Sequence, residues 1–206
     1  MKSRFPICYF AAIFSASIYI VCTILAYLQY PEPFSLGQNW LSDLGNQIAN
    51  PRGAPFYNVG VILTSLLLAV WFVGLSQWRL KQNIANQRLL TISQIMGIVA
   101  TFALIMSALN PINKPAVHAL WSQIHFILSG IGFGFSVTAL RYHRYFSNQI
   151  LYLGICASLL PFLMYTLGKG QTYWMEWVAV GFFILYIFAV GTTTRFFVHS
   201  ADPTSL

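Results

Sequence analysis

The chain has 206 residues, of which 57% are hydrophobic and only 7% are charged. Soluble domains carry roughly 25% charged residues, so this composition excludes a surface that faces water on all sides. The 11 basic residues outnumber the 4 acidic ones, but they are scattered through short segments without interleaved aromatic residues, which argues against nucleic-acid binding. Lipid is therefore the expected solvent, and membrane lipids are the expected partners.

Long apolar runs, rather than short segments of alternating polarity, predict an all-α integral membrane bundle of about six transmembrane helices. Each run is long enough to cross about 30 Å of hydrocarbon at about 1.5 Å per residue. The predicted spans, in a single membrane domain covering residues 1–195, are 7–28, 56–78, 89–109, 117–140, 149–167 and 174–194. Residues 196–206 are expected to form a short polar tail in the cytoplasm.

The distribution of Lys and Arg predicts how the bundle is oriented. Eight of these residues fall on the side that carries both termini, and three fall on the other side. By the positive-inside rule, both termini are expected in the cytoplasm, with the chain in the plasma (inner) membrane. The longest loop, residues 29–55, is then an outer loop, and a loop of this length in a compact bundle usually has structure or function.

A short helix is predicted in this outer loop, over Ser35–Gly45. Ser35 and Gln38 fit a capping box, and the final glycine fits a helix stop. The leucines and tryptophan of the segment share one face, so the helix is expected to lie in the membrane interface or to fold back onto the bundle. Asp43 would lie in its last turn, where the helix dipole disfavours an anion and a functional role is indicated. The alternative is that Asp43 is solvated or pairs with Arg52.

The fourth span carries a polar stripe. His118, Ser122, His125 and Ser129 recur at helical spacing and share one face, which is expected to point into the bundle or into a wet cavity. His125 would lie about 10 Å deeper than His118. An ionisable residue at that depth indicates a functional site, and the alternative is a neutral histidine that hydrogen-bonds across helices.

Metal binding and catalysis are the two kinds of chemistry to weigh for these residue types. A metal site is not predicted, because the gap of seven residues between the two histidines is too wide for easy chelation of one ion, and no cofactor is expected. An acyl-transfer set of Asp43, His125 and a serine, Ser42 or Ser122, is possible in principle. Glu176, near the start of the last span, either completes an acid/base pair or stabilises its own helix N-terminus.

Three segments carry a resemblance to a known family: Leu41-Ser-Asp-Leu-Gly45, Asn50-Pro, and Pro55-Phe-Tyr-Asn-Val-Gly60. They resemble the family called domain of unknown function 998, which consists of small bacterial and archaeal proteins with about six spans. The resemblance covers roughly residues 8–195 and implies a fold, but no established activity. The positions it matches are Ser42, Asp43, Gly45, Asn58 and His125. The outer motif is more distantly similar to Frag1/DRAM/Sfk1-type membrane proteins, which are associated with lipid and membrane homeostasis.

The sequence thus predicts an outer-leaflet cavity that binds a lipid or another amphiphile. Its expected lining is Asp43, Asn58, His118, Ser122, His125 and Glu176. One alternative is a membrane-embedded lipid hydrolase or transferase that uses Asp43 and His125. Another is a small transporter, which the lack of charged residues at mid-depth and of broken helices disfavours.

Overall fold

The computed structural model describes residues 5–167 and 173–200. In that part of the chain every regular element is helical, and six helices are long and apolar enough to cross a membrane. They are α1 (Ile7–Leu28), α2 (Ala54–Gly74), α3 (Ile84–Leu109), α4 (Pro115–Leu140), α5 (Asn148–Leu167) and α6 (Tyr173–Ser200). Two short 3₁₀ helices, Leu41–Gly45 and Leu75–Trp78, complete the elements. The predicted all-α bundle is confirmed.

The six helices form a ring in which each packs against the next and α1 closes against α6. The two described ends of the chain lie at one end of this ring. There the Arg195 guanidinium donates to the Tyr9 hydroxyl over 3.1 Å, and the Trp78 indole N–H donates to the Thr194 hydroxyl over 2.8 Å. We call this the terminal end, and the opposite end, which carries the loop between α1 and α2, the loop end.

The limits of α1 coincide with the predicted span, whereas those of α6 do not. Helix α6 continues to Ser200 instead of stopping near residue 194, because the buried Phe197 packs edge-to-face on Trp78 and against His143. Residues 196–200 are therefore helical, and Phe197 is part of the packed bundle. Residues 201–206 lie outside the described part of the chain.

The predicted helix over Ser35–Gly45 is wrong in its extent and in the position of Asp43. Only Leu41–Gly45 is helical, because the backbone of Trp40 is extended and separates this helix from the turn that begins at Ser35. Asp43 lies in the first turn, where its carboxylate accepts the N–H of Trp40 over 2.8 Å. Since Asp43 is not in the last turn, the helix-dipole argument for a functional role of Asp43 does not hold. The leucines of this helix are buried, which shows that it is folded onto the bundle.

Large aromatic side chains fill the ring toward the terminal end. Trp71 contacts Phe133 and Tyr186 edge-to-face, with ring centroids 6.2 and 6.3 Å apart, and Phe72 stacks on Phe133 at 5.8 Å. All four residues are at most 2% exposed. We call this group the aromatic plug, because it closes the centre of the bundle on that side.

Candidate functional site

A cavity of ≈ 90 Å³ lies inside the ring, between the loop end and the aromatic plug. Helices α1, α2, α3, α4 and α6 contribute to it, and none of the described α5 side chains does. The short helix of the first loop contributes Ser42. The polar residues that line the cavity are Ser15, Tyr19, Ser42, Tyr57, Asn58, Thr64, Thr101, Ser107, His118, Ser122, His125, Ser129 and Glu176. Of the six residues predicted to line one site, all but Asp43 are in this set.

Glu176 places a carboxyl group at the loop end of the cavity. It is 8% exposed and lies in the first turn of α6. Its Oε2 accepts the N–H of Leu41 over 2.7 Å and that of Ser42 over 3.4 Å, and the Ser42 hydroxyl also hydrogen-bonds the carboxyl. Glu176 therefore holds the short helix of the first loop against α6, instead of serving its own helix N-terminus alone.

His118 and Ser122 form a hydrogen-bonded pair one helical turn apart on α4. The Nδ1 of His118 lies 3.0 Å from the Asn110 carbonyl oxygen and 3.2 Å from that of Ser107. Carbonyl oxygens only accept hydrogen bonds, so this network assigns the ring hydrogen to Nδ1 and a lone pair to Nε2. Ser122 Oγ is 3.3 Å from that Nε2 and 2.9 Å from Ser107 Oγ. A hydroxyl beside an oriented imidazole lone pair is the arrangement that activates a nucleophile.

His125 lies deeper and is 6% exposed. Its Nδ1 is 3.0 Å from the Ala100 carbonyl oxygen, which assigns a hydrogen to Nδ1 and a lone pair to Nε2. Ser129 Oγ is 3.5 Å from the same Nδ1. In the described part of the chain no hydrogen bond uses the Nε2 of His125, so this acceptor is left for the cavity.

Two asparagines fix the loop that covers the cavity. Asn50 is fully buried, and its Nδ2 donates to the carbonyl oxygens of Ala26 and Leu44 over 3.1 and 2.9 Å. The Nδ2 of Asn58 donates to the Gly45 carbonyl oxygen over 3.0 Å. Asn58 also lines the cavity, so it connects the first loop to the start of α2 at the site itself.

Asp43 is not among the residues that line the cavity. Its carboxylate is bonded to the N–H of Trp40, and no hydrogen bond joins it to either α4 histidine in the described residues. Partial burial raises the pKa of Asp43, although the Trp40 N–H and the Asn39 side chain favour the ionised form. The predicted catalytic use of Asp43 stays a prediction, and the carboxyl group that reaches the cavity is that of Glu176.

Several lining residues were not singled out from the sequence. Tyr19 and Tyr57 face each other with ring centroids 6.4 Å apart, and Ser107 contacts both His118 and Ser122. A signal was present, since Ser15 and Tyr19 on α1 are spaced at i, i+4, and Tyr57, Val61 and Thr64 on α2 recur at i, i+4 and i+7. The spacing argument applied to α4 would have found these faces too.

Comparisons with protein-family models, with curated proteins and with solved structures find no match to this chain. Among the described residues, no group of three or more His, Cys, Asp and Glu side chains is placed to hold a metal ion. The interpretation of the site therefore depends on its own geometry.

Proposed function

We propose that this multi-pass membrane protein binds a lipid or another amphiphile in its central cavity. The observation that carries the proposal is that Glu176 and His118 line the loop end of the cavity, while the apolar side chains of Leu68, Phe183 and Ile187 line it next to the aromatic plug. Ligand sites are typically apolar spaces with a few converging polar groups. An amphiphile has this same division, with a headgroup at one end and a chain at the other.

The two parts are separated along the helices. On α4, His118 and Ser122 lie at the loop end, while Phe133 lies about 22 Å farther along the helix. On α6, Glu176 lies at the loop end, and Ile187 lies about 16 Å farther along. A volume of ≈ 90 Å³ distributed over this depth makes the cavity narrow, which suits one chain better than a compact polar solute.

We place the loop end at the outer face of the plasma membrane, since the positive-inside rule assigns the Lys- and Arg-rich terminal end to the cytoplasm. The ligand would then enter from the outer leaflet. Transport is disfavoured as the function, because a transporter needs a polar path to both faces, and the buried aromatic plug occupies the centre of the ring on the terminal side.

Photo-crosslinking tests the proposal. The full-length protein in detergent micelles would be irradiated with a dodecyl alcohol that carries a diazirine at the chain end, and modified peptides would be mapped by mass spectrometry. We expect adducts on apolar cavity residues such as Phe126, Phe133 and Ile184. Adducts confined to lipid-facing residues such as Val73 and Phe102, which are 51% and 55% exposed, would contradict the proposal.

A second candidate function is that of a lipid hydrolase or acyltransferase, and the contact between Ser122 and His118 is the observation that favours it. Ser122 Oγ would attack an ester carbonyl carbon while its proton passes to Nε2 of His118. The resulting imidazolium is stabilised by the carbonyl oxygens of Asn110 and Ser107, which accept from Nδ1. His118 then protonates the departing alkoxide, and water, deprotonated by His118, releases the acid and restores Ser122.

A fluorophosphonate probe tests this second candidate, because it forms a stable adduct with an activated serine hydroxyl. We expect an adduct on Ser122 that is lost in Ser122→Ala, reduced in His118→Gln, and kept in Ser129→Ala. Ser129 is the matched control, since it lines the cavity on the same helix and lies next to the other histidine. The hydrolase would be excluded if wild-type Ser122 forms no adduct. It would also be excluded if the adduct forms to the same extent in His118→Gln.

A further inference from the structure

The carboxyl group of Glu176 lacks a balancing positive charge in the described part of the chain. The donors that reach it are the N–H groups of Leu41 and Ser42 and the Ser42 hydroxyl, all of which are neutral. The charged group that acts on it is Asp43, which is a second anion. Among the described residues, no Lys or Arg lines the cavity.

A buried carboxylate in a membrane helix is costly, and such groups usually pair with a cation or mark a ligand site. Burial disfavours the ionised form of Glu176, and the backbone N–H groups that donate to it offset this only in part. A cation supplied by a ligand would stabilise the carboxylate. A carboxylate also has about four lone-pair positions, so the three neutral donors leave room for a further partner from the cavity.

We infer that the ligand itself supplies the missing charge, and that the cavity selects an amphiphile whose headgroup carries an ammonium group. The inference rests on the proposed function and names its ligand class. The ammonium would lie beside Glu176 at the loop end, with its chain directed toward Phe133 and the aromatic plug.

The surroundings of Glu176 suit a cation in a second way. Tyr19 and Tyr57 line the same cavity, and both are close enough for the Glu176 charge to act on them. Tyrosine rings attract ammonium groups through their π faces.

The test compares three ligands with the same chain and different headgroup charges. Dodecylamine, dodecanol and dodecanoate would be titrated into the full-length protein in maltoside micelles, with the shift in thermal unfolding midpoint as the readout. We expect dodecylamine to bind at least about tenfold more tightly than dodecanol, as a charge-assisted hydrogen bond requires, and dodecanoate to bind most weakly. This ranking of the three ligands is measured on the wild-type protein, so it does not depend on whether a variant folds.

Variants with matched charge changes locate the effect. Glu176→Gln should remove the preference for the amine and leave dodecanol binding unchanged. Glu32→Gln makes the same chemical change at an exposed position of the first loop, and it should keep the preference. Lys169→Gln, which alters a basic residue outside the described part of the chain, should also keep it.

The outcomes separate this inference from the proposed function. Equal binding of the amine and the alcohol would overturn the ammonium class while keeping the amphiphile site. A preference that persists in Glu176→Gln would equally overturn it, and so would a preference that rises strongly in Lys169→Gln, because Lys169 would then be the balancing charge of Glu176. If none of the three ligands shifts the midpoint, the amphiphile site itself is wrong.

An ammonium group on an apolar chain is found both in free long-chain amines and in aminophospholipids. Displacement of dodecylamine by phosphatidylethanolamine, but not by phosphatidylglycerol, would support the lipid as the source. Binding of dodecylamine that phosphatidylethanolamine does not displace would support a free amine.

Discussion

Gly45 occupies a position that no larger residue fits. A Cβ atom there would collide with the amide oxygen of Asn58 and with the ring of Tyr57. Both neighbours line the cavity, and Asn58 donates to the Gly45 carbonyl oxygen. The short helix of the first loop can therefore approach α2 closely only because this residue has no side chain.

Replacing Gly45 tests how firmly the loop covers the site. We expect Gly45→Ala to destabilise the protein by about 1–3 kcal/mol, as overpacking of a tight contact does, and to lower its thermal unfolding midpoint. Gly37→Ala is the matched control in the same loop, because no atom lies within 4 Å of the Cβ it would add. Equal midpoints for the two variants would show that the contact of Gly45 with α2 is not tight.

For individual residues, the sequence predicts which polar side chains line the cavity more accurately than it predicts their hydrogen-bond partners. The α4 stripe from His118 to Ser129 follows from helical spacing, and all of it lines the cavity. The choice between Asp43 and Glu176 could not be predicted in this way. It depends on contacts such as that of Glu176 with Leu41, which are far apart in the chain and leave no local pattern.

Among the elements, the loop between α4 and α5 carries a titratable contact. His143 packs on Trp78 and Phe197 with ring centroids 4.9 and 4.8 Å away, so it connects this loop with the 3₁₀ helix that follows α2 and with the end of α6. Its Nδ1 accepts the N–H of Tyr145 over 3.4 Å. Burial and, less strongly, the positive charge of Arg144 lower the pKa of His143 to about 4.

This contact predicts a loss of stability in acid. A histidine whose pKa is lower in the folded chain than its ordinary value of 6.5 stabilises the fold fully above pH 6.5. That contribution is lost as the pH falls from 6.5 toward about 4, because the unfolded chain then binds the proton more readily. His143→Phe, which keeps an aromatic ring, should show a smaller fall in unfolding midpoint over this range.

The measurement is the difference between the midpoints of the two proteins at each pH, so that the other titrating groups largely cancel. A difference that stays constant from pH 7 to about pH 4 would mean that His143 does not carry the effect.

The limits of the elements show what hydropathy can predict. The apolar runs locate six helices, since length and composition suffice to identify a membrane-spanning helix. They miss turns that extend beyond the apolar part, such as the start of α3 at Ile84, where the side chain of Asn83 caps the helix over 2.9 Å. They also miss the end of α6, which continues because Phe197 packs on Trp78 in the 3₁₀ helix that follows α2.

At the scale of the whole molecule, the ring is what creates a site. Six sequential spans can pack in several orders, and the apolar pattern does not distinguish among them. Closure of α1 against α6 brings Ser15 and Tyr19 opposite the α4 stripe and places Glu176 over the same space. The sequence thus predicts about half of the polar residues of the site, while the cavity and the distribution of its polar and apolar groups require the packed structure.

Occupation of the cavity by an amphiphile can be tested by comparing the photo-crosslinking yields of two neighbouring α1 variants. Ala16 lines the cavity, whereas Ser17 is exposed on the outside of the bundle, so Ala16→Phe fills the site and Ser17→Phe does not. We expect Ala16→Phe to reduce adducts on Phe126 and Phe133 to the level of lipid-facing residues, and Ser17→Phe to leave them unchanged. Equal adduct yields in the two variants would show that the label does not enter through the cavity.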